Sequence, residues 1–312
     1  MYYSIRHVSK FRYSAAIRES MMEVRMQPRN DGPQHLLSFA LQTNPRAAVA
    51  SYRDAEGNAV HHFDVPDSHN SLTITATALV SLLPGPPVPA RSEPASWDEL
   101  DRLAAADEYW DYLVPSRFAR PSPLLRDVAR ELRLGRRDDP LDTARAINRA
   151  IHDAFDYVPQ STRANSPIDD ALGSRRGVCQ DFAHIMIAQL RELGIPSRYV
   201  SGYLAHRPNI VDARDRSATS GADATHAWVE ALLPALGWVG FDPTNSLVTG
   251  ERHIRVAVGR DYDDVPPTHG VYKGRAENEL HVAVQVTPSD GPPSGDMPLS
   301  APNWGPLGGG QQ

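Results

Sequence analysis

Residues 177–204, GVCQDFAHIMIAQLRELGIPSRYVSGYL, contain the single cysteine of a 312-residue chain. Phe182, Ile185, Met186, Ala188, Gln189 and Leu193 recur at helical spacing, and Gly194 followed by Pro196 stops the pattern. A helix is predicted from about Cys179 to Leu193. Ser197 to Leu204 comes next, and its Tyr199, Val200, Tyr203 and Leu204 suit a buried pleated surface, which predicts a strand. This order puts a thiol in the first turn of a helix that leads directly into a sheet. Unpaired N–H groups and the positive end of the helix dipole favour an anion there. A thiolate is such an anion, and helix starts together with neighbouring imidazolium lower a cysteine pKa from about 8.5 to between roughly 3.5 and 7.5. A lone cysteine is by itself a readily buried small hydrophobe, so the chemistry depends on what else the chain supplies.

The length suggests about two domains, and 41% hydrophobic with 22% charged residues describes a globular chain. A formal charge of −6 argues against nucleic-acid or anionic-membrane partners, which need a basic face. The first residues, MYYSIRHVSKFRYS, lack the apolar core of a signal peptide, and no stretch approaches 18 apolar residues, so a cytoplasmic location is expected. One cysteine cannot form an internal disulfide, which fits a reducing compartment.

Residues 1–90 alternate in short apolar runs (Tyr3-Ile5-His7, Met22-Val24-Met26, Leu72-Ile74) separated by turn formers, as an antiparallel β-sandwich does. His61, His62 and His69 show no ligand spacing, and no metal or other cofactor is expected. The proline-rich stretch Leu83–Pro89 is a stiff linker and marks a boundary. Helical patterns follow at Ala95–Ala106, Leu124–Leu134 and Leu141–Phe155, with a short helix opened by Ser166-Pro167 and ended by Gly173. After the strand at 197–204, the polar stretch His206–Asp223 is long enough for a lid or rim. Two strands around Pro234–Gly237, then His253–Val258 and Leu280–Val286, complete a second domain spanning 91–286. Residues 287–312, rich in Pro, Gly and Ser, are expected to be a disordered tail. Helices first and strands after give an α+β order.

A thiol nucleophile needs a base, usually a histidine held in one tautomer by a third group. His226 precedes an apolar strand and Asp242 ends the next. A simple hairpin register sets Asp242 opposite Val229, three places from His226, so a bulge or strong twist is needed to join them. Asp242 before Pro243 is also a turn former, and His226 also reads as an ordinary strand histidine. His184, five residues along the helix from Cys179, points away and reads as structural.

The segments GVCQDFAH (177–184), GIPSRYVSGY (194–203), HAWVE (226–230) and FDPTN (241–245) closely resemble the bacterial transglutaminase-like superfamily, whose core is papain-like. The front of the chain resembles the N-terminal β domain of that family, and the segment 259–267 also fits. The resemblance spans about residues 1–286. It implies Cys179 as nucleophile, His226 as general base and acid, and Asp242 as the residue orienting the histidine. It further implies acyl transfer from a peptide or amide of a protein or peptide substrate through a thioester, resolved by water in a cysteine peptidase or amidase. The alternatives are resolution by an amine in a transglutaminase, and a silent peptide-binding module. No calcium loop is evident. Trp228, Tyr203 and Asp261 are candidate substrate-binding residues at the rim.

Overall fold

The computed structural model describes residues 1–85, 87–89, 96–205 and 225–289. The N-terminal part is built on one 23-residue strand, β1 (Tyr2–Val24). It is followed by β2 (Gln34–Asn44), β3 (Ala50–Arg53), β4 (Ala59–Val65) and β5 (His69–Leu82). The first half of β1 pairs with β5, the register shifts between Arg12 and Ile17, and the second half pairs with β4. One strand thereby serves both layers of a sandwich. Val24, Phe63 and Val65 from one layer meet Leu72, Ile74 and Ala76 from the other in a common core. Strict alternation along β1 sends Tyr3, Ile5, Phe11 and Tyr13 inward, as the two-residue period of a strand requires.

The middle of the chain carries α1 (Ser96–Ala104), α2 (Pro123–Glu131), α3 (Pro140–Ala154), β6 (Asp156–Tyr157), α4 (Ile168–Ser174), β7 (Arg176–Gly177) and α5 (Cys179–Glu192). Ser122 caps α2 and Asp139 caps α3, each with proline at the first helical position, where its missing N–H costs nothing. The short helix α4 differs from expectation. Pro167 precedes it without a side-chain cap, Ser166 instead accepts from the Arg163 N–H, and the helix continues past Gly173 to Arg175 at φ 55°.

The C-terminal part consists of β8 (Ser197–Leu204), β9 (Thr225–Leu233), β10 (Gly237–Asp242), β11 (Leu247–Val248), β12 (His253–Gly259), β13 (Thr268–Lys273) and β14 (Asn278–Ser289). Five of these form an antiparallel sheet ordered β11-β10-β9-β8-β12. Helix α5 lies on β9 and β8 with α2, α3 and α4 around it, so residues 181–191 are all buried rather than only one stripe.

The last two strands leave that sheet. β13 and β14 both pair with β1, so Leu280–Val286 completes the N-terminal sandwich instead of ending the second domain at 286. Val282, Val284 and Val286 pack with Tyr3, Ile5 and Val80, while Leu280 packs with the cluster of Phe11 and Leu72. Thr287, Pro288 and Ser289, placed in the expected tail, belong to β14. The polar stretch 206–223, the rest of the tail and, within the linker, Pro86 lie outside the described residues. No helix among the described residues is long and apolar enough to cross a membrane.

Candidate active site

Cys179 is the first residue of α5 and is partly exposed. The turn before it is tightly held. Asp181 Oδ2 accepts the Val178 N–H at 2.8 Å and the Thr162 hydroxyl at 2.5 Å, and Gln180 Nε2 donates to Ala164 O at 2.9 Å. A Cβ at Gly177 would lie 3.0 Å from the Asp181 carboxylate, so the absence of a side chain there lets the carboxylate fold back over the turn. Burial pushes the Asp181 carboxyl up, against its two hydrogen bonds.

His226 and Asp242 meet without any bulge. The β9–β10 hairpin pairs Gly237 with Leu233 and Phe241 with Val229, one residue off the simplest register. A one-residue slip moves every side chain of a strand to the other face. Asp242 is thereby carried onto the face of His226, where His226 Nε2 donates to Asp242 Oδ2 at 2.8 Å. The left-handed backbone at Ala235 (φ 60°) and Gly237 (φ 69°) closes the turn that sets this register.

Asp242 is fully buried and receives five donors. Its Oδ1 accepts the backbone N–H of Thr244 (3.0 Å) and Asn245 (3.2 Å), while Oδ2 accepts His226, Asn245 Nδ2 (2.8 Å) and His253 Nε2 (3.1 Å). The residue is a turn former and a histidine partner at once, with Oδ1 serving the turn. Desolvation opposes the charge, but the imidazoles of His226 and His253 hold the carboxyl well below the usual carboxylate range.

Burial by itself would lower His226, yet the Asp242 charge and hydrogen bond, joined by Cys179, push it up to about 10. With Nε2 committed to Asp242, Nδ1 is left buried with no aligned hydrogen-bond partner, and Cys179 is close enough for hydrogen bonding and charge to act on the ring. Tyr199 also senses the sulfur: its hydroxyl is pushed well up, by burial first and by Cys179 next.

The rim candidates are all buried: Tyr203 and Asp261 bond groups outside the site, and Trp228 lies against His226 and His253. Trp228 is buried with Val200 and Val258, its ring edge-on to His253 at 5.2 Å. It fills the space left by Gly202, opposite His226, where a Cβ would run into the Trp228 ring and the Ile254 carbonyl. Tyr203 faces the N-terminal sandwich and bonds His7 Nδ1 at 2.9 Å. Asp261 is buried and takes the N–H groups of Phe118 (2.7 Å) and Asp263 (2.8 Å). All three are packing or loop-holding groups because their polar atoms point into the protein. His184 stacks on Phe118 and its Nε2 accepts the Tyr262 N–H, as a structural histidine does.

Sequence reasoning missed His253 and Asn245. Asn245 carries a signal in retrospect, since Asp-Pro-x-Asn favours a turn closed by side-chain hydrogen bonds. His253 opens a strand with no spacing that ties it to Asp242. Ligand atoms of His226, Asp242 and His253 lie within 4.8 Å of one another, the one such cluster among the described residues. Its nitrogen–oxygen distances are those of hydrogen bonds. His253 Nδ1 accepts the Gly250 N–H at 3.3 Å, so Nε2 carries the proton, and both imidazoles spend that proton on Asp242 rather than offering lone pairs to an ion.

Family models agree with this architecture. Residues 126–243 match the transglutaminase-like superfamily core, and residues 3–81 match the bacterial transglutaminase-like N-terminal region. The uncharacterized protein ML0607 of Mycobacterium leprae is 34% identical over 281 residues, covering 90% of this chain and 96% of that protein. A protein-glutamine gamma-glutamyltransferase of Pseudomonas aeruginosa is 35% identical over 152 residues, 48% of this chain but 22% of that protein. The crystal structure of a "Putative Cysteine Protease from Cytophaga hutchinsonii" superposes with a TM-score of 0.72 at 22% identity, covering 95% of this chain and 94% of that one, which speaks to the fold. With both family models in order along the chain and a relative matched over nearly its whole length, this chain belongs to the transglutaminase-like superfamily and carries the bacterial N-terminal region of that group.

Proposed function

We propose that the protein is a thiol-dependent acyl-transfer enzyme that cleaves a peptide or amide bond of a protein or peptide substrate. Cys179 is the nucleophile, His226 the base and acid, and Asp242 the residue that orients the imidazole. The observation that carries this reading is the His226 Nε2 to Asp242 Oδ2 bond of 2.8 Å, which commits one nitrogen and leaves the other for the thiol. The sulfur gives its proton to His226 and attacks the carbonyl carbon, forming a tetrahedral oxyanion. Backbone N–H groups in the first turn of α5, that of Cys179 included, are oriented to receive this charge. His226 then protonates the leaving amine, the C–N bond breaks, and a thioester remains. Water attacks the thioester, giving up a proton to His226, and the acid product leaves as the thiol is restored.

A second reading has its own support in the similarity to the Pseudomonas aeruginosa glutamyltransferase over 152 residues, in which an amine takes the place of water. Incubating the protein with dimethylcasein and monodansylcadaverine separates the two. Casein fragments or free acid without fluorescent label support hydrolysis, and label on casein glutamines supports amine transfer. Neither product, together with Cys179 reacting with iodoacetamide no faster than free cysteine at pH 6, would leave a non-catalytic binding module.

A further inference from the structure

We propose that His253 is a positioning residue of this site: it donates its Nε2 proton to the same Asp242 oxygen that receives His226, and the N-terminal domain holds it there by gripping strand β12. The proposal rests on the acyl-transfer reading of Cys179, His226 and Asp242 and adds a fourth group and a task for the N-terminal domain.

Two sets of contacts carry it. At the site, His253 is buried and pinned at both nitrogens, with Nδ1 accepting from the Gly250 N–H at 3.3 Å and Nε2 donating to Asp242 at 3.1 Å. Its backbone N–H returns to Gly250 O at 3.0 Å, which closes the loop around the ring. The ring therefore stays neutral with its proton on Nε2, and burial lowers its pKa in keeping with that. The charged or titratable groups acting on it are Asp242, His226 and Arg252. A fixed donor on Oδ2 limits the ability of Asp242 to rotate or to take the proton from His226.

At the other end, β12 is an edge strand whose outward N–H and C=O groups would lack partners. Two buried amide side chains of the N-terminal domain supply them. Gln34 pairs with Arg255 in both directions, Oε1 accepting its N–H and Nε2 donating to its C=O, each at 2.8 Å. Asn58 does the same to Val258 at 2.9 and 2.8 Å. Each amide imitates one residue of a neighbouring strand, and the two flank the bulge between Arg255 and Ala257. The strand that begins at His253 is thus positioned from outside the catalytic sheet.

The test uses the full chain, whose one cysteine makes alkylation report on Cys179 alone. Iodoacetamide rates are measured against pH for wild type, His226→Ala, His253→Leu and His253→Gln, with histidine nitrogen NMR on each. His253→Leu is expected to slow alkylation at pH 6.5 about tenfold and to displace the His226 titration, because the ring it aligns loses its fixed partner. His253→Gln, which keeps an N–H donor, is expected to recover most of the rate. A folded His253→Leu with the wild-type rate and an unmoved His226 titration overturns the proposal and leaves the acyl-transfer reading standing. A wild-type rate indifferent to His226→Ala overturns both. If His253→Leu does not fold, the wild-type spectrum decides: His253 with its proton on Nδ1, or charged at pH 7, overturns the proposal, and a persistent Nε2–H supports it.

Discussion

Asp242 Oδ2 lies 2.8 Å from His226 Nε2 across a regular hairpin, and the same oxygen lies 3.1 Å from His253 Nε2. One carboxylate oxygen thus fixes the direction of two imidazoles, and only His226 keeps a free buried nitrogen beside Cys179.

Asp242→Asn preserves the shape and removes the charge. Burial then acts on His226 with only Cys179 left to oppose it, so its pKa is expected to fall well below about 10. Orientation of the ring is lost with it, and turnover on a peptide or amide substrate is expected to drop by about 10²- to 10⁴-fold. Steady-state rates with histidine NMR on the same samples check both parts; unchanged turnover would remove Asp242 from the reaction.

Stability should respond to pH through the same groups. His226 is raised in the folded chain, so its contribution is complete below about pH 6.5 and is lost as pH rises through about 10. Asp242 is depressed, so its share of that one ion pair is present above about pH 4 and fades only as pH falls toward its low folded value. His7, His184 and His253 are lowered by burial and take up protons on unfolding, which erodes stability below about pH 6.5. Unfolding free energies from urea titrations should therefore peak near pH 6.5 and decline toward pH 10, by up to about 1.4 kcal/mol per pH unit. In Asp242→Asn the alkaline decline should flatten; an equal slope in both proteins contradicts the assignment.

Gly202→Ala should be poorly tolerated. The new methyl would meet the Trp228 ring and the Ile254 carbonyl, neither of which is a flexible end. Overpacking of this kind costs roughly 3 kcal/mol, and the displaced Trp228 lies against both His226 and His253. Thermal denaturation should show a clear drop in midpoint, with alkylation of Cys179 slowed in whatever protein remains folded.

Asn58→Ala tests the grip on β12 by stability. It leaves the N–H and C=O of Val258 without their partner in a buried setting, at roughly 2 kcal/mol. Asn58→Asp restores the acceptor for the N–H but sets a carboxylate oxygen against the Val258 carbonyl, so it should not recover the loss. Equal denaturation midpoints for Asn58→Ala and wild type would show that the interface does not depend on this pair.

Much of the site was legible in order along the chain. The helix after Cys179 shows in its apolar period and glycine stop, and the strands of His226 and Asp242 show in their β-branched and aromatic runs. Their meeting was implied by the resemblance and not by local spacing, because hairpin register depends on turn geometry at Ala235 and Gly237, and one residue of slip reverses the face. Trp228, Tyr203 and Asp261 are buried rather than at a rim for a related reason. A polar or aromatic residue near a motif reads as a site wall, while its direction is set by packing partners far away in sequence, such as His7 for Tyr203 and Phe118 for Asp261.

The sequence by itself determined the position of Cys179 at a helix start, the alternation that builds the front sandwich, and the residue types able to perform thiol chemistry. These follow from local periodicity and capping, which act over a few neighbouring residues. Only the tertiary structure decided that β14 returns to β1, that His253 joins Asp242, and that Gln34 and Asn58 close the edge of the five-stranded sheet. Those contacts join residues from 11 to more than 200 positions apart. They are chosen by which buried donors and acceptors must find partners, a condition that no single stretch of chain expresses.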